Sequence, residues 1–248
     1  MEALLFRLIQ ESYLTGIHFS SRFGGDYLTG YLTFSQKNIG VNAGWESLSK
    51  VEIYEDWESK GEIVPWDSWA STFYKFNINF YRFRIIAVPE VGIVYDNIFD
   101  TSLGSFFDGV VILGKSLSND LYIYGAFSPP TLILNLYPEF DFQRRNVMGC
   151  HGAFASAVVM YNMNTSTLGT AVSYNGGASP LLRLAPFLEF KDTLIIISLL
   201  VSPVSIWLEN SIEFRLYSFK NYEAFLKGEI EFHPLGTGFA LGINLVEK

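Results

Sequence analysis

The sequence predicts an all-β chain that closes into a single transmembrane antiparallel up-and-down β-barrel, with about 12 strands in a range of 10 to 14. Three observations predict it. Apolar and polar residues alternate with a period of two in stretch after stretch. Turn residues recur at short spacings with no surviving helical period between them. Charge is scarce and aromatics are abundant: of 248 residues 49% are hydrophobic and 17% aromatic, with 22 Phe and 14 Tyr, and only 17% are charged. Soluble globular chains carry about 25% charged residues.

From the N-terminus, MEALLFRLIQES lacks a basic leader region, and its apolar run is too short for a secretory signal. The expectation is a chain not exported by that route, or a mature form behind an added initiator Met. Ile17, Phe19 and Phe23 then alternate with His18, Ser20 and Arg22, and Leu28, Leu32 and Phe34 with Thr29, Tyr31 and Thr33. The long interruption at 46–71 gathers acidic residues with Trp57, Trp66 and Trp69. It is a loop or lumen-plug candidate, or else a strand pair around a solvated acidic turn. In TFYKFNINFYRF, residues 72–83, Tyr74, Phe76, Ile78 and Phe80 share one face, and Lys75, Asn77, Asn79 and Tyr81 the other.

The uncharged run at 193–208 falls short of the roughly 18 residues of a membrane helix and is broken by Pro203, so it reads as two strands around a Ser202-Pro203 turn. Over 204–217 the even positions are apolar apart from Asn210, while Trp207, Glu209, Ser211, Glu213, Arg215 and Tyr217 hold odd ones. In 222–233, Ala224, Leu226, Ile230 and Phe232 oppose Lys227, Glu229, Glu231 and His233. The three stretches 72–83, 204–217 and 222–233 exceed the roughly 9–11 residues that a tilted strand needs to cross a hydrocarbon layer. The apolar face then meets lipid and the polar face lines a lumen. The alternative is a soluble lipocalin-like binding barrel, in which the apolar face is the core.

These residues resemble the bacterial outer-membrane β-barrels as a class, by pattern along nearly the whole chain. The last strand, GTGFALGINLVEK, looks like the amphipathic closing strand of such barrels, although it ends in Glu247-Lys248 where they carry an aromatic. The resemblance implies an outer-membrane location, contact with membrane lipid and pairing of every backbone group by closure.

Functional classes narrow further. A net charge of −8 without a basic stripe excludes nucleic acid as a partner. Cys150 stands alone, and His18, His151 and His233 have no metal-ligand spacing, so no metal or cofactor is expected. The predicted pore lining is Lys75, Asn77, Asn79, Glu209, Glu213, Arg215, Lys227, Glu229, Glu231 and His233, and porin-like passage of small solutes or ions is the leading function. Oligomeric state is not predicted. His18-Phe19-Ser20 resembles the His and Ser two apart in outer-membrane phospholipases and lipid A deacylases, which implies a lipid hydrolase as an alternative. Parity turns this pair inward, however, where those enzymes face lipid. Glu229 and Glu231 could do acid/base work, but Lys227 and Arg215 fit them better for a charged ladder.

Overall fold

The computed structural model describes residues 15–22, 25–48, 51–55, 58–64, 66–96, 102–130, 132–135, 153–176, 180–220 and 222–247. Phe23, Trp57, Cys150 and His151 lie outside them. In chain order the strands are β1 (Thr15–Arg22), β2 (Gly25–Gln36), β3 (Ile39–Leu48), β4 (Val51–Glu55), β5 (Glu58–Ile63), β6 (Trp66–Tyr74), β7 (Phe76–Phe80), β8 (Phe83–Asp96) and β9 (Ser102–Ser116). They continue as β10 (Leu121–Ser128), β11 (Leu132–Asn135), β12 (Phe154–Met163), β13 (Ser166–Asn175), β14 (Leu181–Phe190), β15 (Thr193–Val201), β16 (Ile206–Ser218), β17 (Tyr222–His233) and β18 (Gly236–Glu247).

The wall is a closed ring of 14 antiparallel strands, each bonded to the next in the chain. β18 returns to β1, with Thr15 opposite Leu245 and Ser21 opposite Phe239, so no sheet edge is left along the ring. β7 prolongs β6 along β8 in unchanged register, and β11 prolongs β10 along β9 beyond Pro129-Pro130, which have no N–H to donate. β4 and β5 form a separate two-stranded sheet between β3 and β6, the strand-pair form of the 46–71 interruption.

The expected count of about 12 is corrected to 14 because several hairpins need only two turn residues, at 37–38, 81–82, 164–165, 191–192 and 234–235. Lys37, Tyr81 and Lys191 open three of these turns with φ of 59°, 54° and 52°. The stretch 72–83, expected as one strand, holds the Tyr81-Arg82 turn, which carries no Gly, Asn or Pro to announce it. At 193–208 the structure has the expected pair, β15 and β16, around 202–205. The long connections 49–65 and 129–153 leave one rim, and the turns 37–38, 81–82, 164–165 and 191–192 lie at the other with the outer ends of β1 and β18.

The apolar parity is outside. Phe214 and Ile230 are 43% and 52% exposed, as are Phe76 at 48% and Ile78 at 57%, so the soluble-core alternative fails. A bulge between Arg215 and Tyr217 ends the alternation in β16 and exposes Tyr217, expected inward.

Inward, the wall divides in two. An arc from β8 to β15 presents Ile86, Val88, Val110, Ile112, Val158, Met160, Phe187, Leu194 and Ile196, all buried in one cluster. The remaining wall carries most of the inward polar and charged side chains, interspersed with buried Phe73, Phe225 and Val246. Cross-strand glycines accommodate aromatic rings at several positions: Trp69 lies over Gly44, Tyr124 over Gly114 and Phe187 over Gly169, each directly opposite in register. Gly114→Val therefore displaces Tyr124 and lowers the midpoint of urea unfolding, a cost of about 1–3 kcal/mol. Gly228→Ala is near neutral, because a methyl there meets only the Ile212 Cγ2 at 4.0 Å.

Candidate functional site

The polar part of the inner wall is built by strand alternation. On β16, Trp207, Glu209, Ser211 and Glu213 point inward, and on β17, Phe225, Lys227, Glu229, Glu231 and His233. Register places Glu209 opposite Glu231, Ser211 opposite Glu229 and Glu213 opposite Lys227. Opposed side chains of this kind have Cβ atoms about 5 Å apart. Lys227 Nζ lies 2.8 Å from Glu229 Oε1. From β14, Arg183 donates through Nε to Ser198 Oγ at 2.9 Å and through Nη2 to Glu209 Oε1 at 3.2 Å. Glu209, Glu213 and Glu231 are all buried, which strengthens the pull of each partner in a medium less polar than water.

At the rim of the long connections, Leu235 N–H donates to His233 Nδ1 at 3.2 Å. That leaves the proton on Nε2, which donates to Ser205 Oγ at 2.9 Å, while the Trp207 ring stacks edgewise at 5.3 Å. At the opposite rim Arg215 pairs with Asp192 of the β14–β15 turn and with Glu223 at 2.8 Å.

A second network crosses four neighbouring strands. Thr33 Oγ1 donates to Asn42 Oδ1 at 2.9 Å, Asn42 Nδ2 donates to Glu90 Oε1 at 3.1 Å, and Ser71 Oγ donates to the same carboxylate.

Of the ten residues expected to line a pore, the structure gathers Glu209, Glu213, Lys227, Glu229, Glu231 and His233 on one continuous wall and puts Arg215 at its rim. Lys75 stands at the junction of β6 and β7, its N–H donating to Asn38 O at 2.7 Å. Asn77 and Asn79 lie on β7, at the rim. β3 begins at Ile39, opposite Tyr74, so β7 overhangs its neighbour, and both faces of Phe76–Phe80 are exposed. Sequence reasoning missed Arg183, Ser198, Asn42, Ser71, Glu90 and Asn244. Each is a polar residue at an inward position, and only the identity of the adjacent strands reveals the partner.

His18 and Ser20 share the inward face of β1, with Ile17 and Phe19 outside. His18 Nε2 lies 2.8 Å from Asn244 Oδ1, an amide supplied by β18, and its ring occupies the space over Gly242. The pair faces the lumen. Among the described residues no three His, Cys, Asp or Glu side chains come together as a metal site.

No protein-family model and no curated protein matches the sequence. Solved structures do match. The Ralstonia pickettii toluene transporter TbuX aligns over 94% of this chain and 86% of its own, with a TM-score of 0.54 at 7% identity. The KdgM porin aligns over 94% and 98%, with a TM-score of 0.49 at 9% identity. Escherichia coli outer membrane phospholipase A aligns over 95% and 92%, with a TM-score of 0.41 at 8% identity. At these identities the likeness is one of architecture. With its closed antiparallel ring and its apolar exterior, this chain has the fold of the outer-membrane β-barrel proteins.

Proposed function

We propose that the chain resides in an outer membrane, with its apolar exterior against lipid, and acts as a porin-like channel that passes small solutes or ions without covalent chemistry. The observation that carries this reading is the hydrogen-bonded polar wall enclosed by a shell whose outside is apolar. TbuX, of similar fold, is described as a toluene transporter.

The lumen is narrowed by the packed apolar arc, so passage follows the polar wall of β14 to β18 and β1 to β8. Purified chain in a planar bilayer should give discrete current steps smaller than those of barrels with about 16 strands, whose lumens are open aqueous channels. A bilayer that stays silent across repeated insertions overturns the channel reading.

A further inference from the structure

We infer that the passage selects cations over anions; this deepens the channel reading and rests on it. The inward charges are unequal. Glu46, Glu90, Asp108 and Glu189 each occupy an inward position on a different strand, in addition to the carboxylates of β16 and β17. Among residues whose side chains the structure describes, the inward cations are fewer, namely Lys75, Arg84, Arg183, Arg215 and Lys227. Three of these already hold carboxylates: Arg183 holds Glu209, Lys227 holds Glu229, and Arg215 holds Asp192 and Glu223.

An anion moving along this wall must draw a guanidinium or ammonium away from a carboxylate. A cation meets acceptors instead. Carboxylates stand on β3, β8, β14, β16 and β17 of the polar wall, with Asp108 on adjoining β9, so a solute moving along it passes close to several of them. The field is also poorly screened, since the apolar arc on one side and the apolar exterior behind the wall are of low dielectric and concentrate it in the lumen. Glu209 and Glu231, buried and directly opposed on neighbouring strands, mark the position where a passing cation gains most.

The test is the zero-current potential of the full chain in a planar bilayer under a KCl gradient. The expected result is a potential of cation sign, with K+ preferred to Cl− by about tenfold at low salt. The preference should weaken as total salt approaches 1 M, where the screening length falls to about 3 Å. Glu209→Gln with Glu231→Gln should move the ratio toward one. Glu189→Gln, outside that pair, should move it less and serves if the double variant does not fold. A potential near zero or of anion sign in a conducting protein overturns the inference and leaves the channel standing. A silent bilayer removes the channel reading, and this inference with it.

Discussion

Ile243→Arg lowers the free energy of folding into lipid vesicles by about 2–4 kcal/mol, the cost of a guanidinium on the lipid face near the bilayer midplane. Ile243 sits near the middle of β18, is 52% exposed, and lies between Ile17 of β1 and Leu226 of β17, also apolar and outward. Its register neighbours among the described residues offer nothing polar to receive the charge. Ala240→Arg, three residues away on the inward face, should cost less than about 1 kcal/mol, because it stands opposite Glu229 in register and meets water and a carboxylate. Urea titrations of refolding into vesicles measure both. If Ile243→Arg is tolerated as well as Ala240→Arg, the exterior does not meet hydrocarbon, and the membrane location fails with it.

The same alternation explains how much of the fold is legible in the sequence. A period of two survives in β16 and β17 because the outward residues, Asn210 apart, are apolar or glycine and the inward ones are free to be polar, so the sides of Phe214, Ile230, Glu213 and Glu231 followed from parity. In β8, β9 and β15 both faces are apolar, as in TLIIISLLV, and parity carries no information about the lumen. The apolar arc was therefore invisible. Ser198 interrupts that run, and its partner, Arg183, arrives from β14. The glycines opposite Trp69, Tyr124 and Phe187 were silent for a similar reason. A glycine in a strand signals a close approach only once the residue across from it is known. His18 shows both sides of this limit: its inward direction was legible, whereas Asn244 lies at the far end of the chain and reaches it only through barrel closure.

The apolar arc makes its own demand on the mechanism. Ile112 points inward from β9, is 1% exposed, and lies opposite Ile86 of β8 and Ala126 of β10. Ile112→Ala should cost about 2–5 kcal/mol, because a packed site loses both transfer energy and contacts around the cavity left behind. A side chain bordering open water loses little on truncation, within about 0.5 kcal/mol. The comparison is made by urea unfolding of the wild type and the variant in the same vesicles. A large loss means that this half of the barrel is filled by protein and that solutes are confined to the polar wall, where the carboxylates act on them at short range. A negligible loss would open the arc to water, widen the passage, and move most of its cross-section out of reach of Glu209, Glu213 and Glu231, so that both the small current steps and the cation preference would have to be given up.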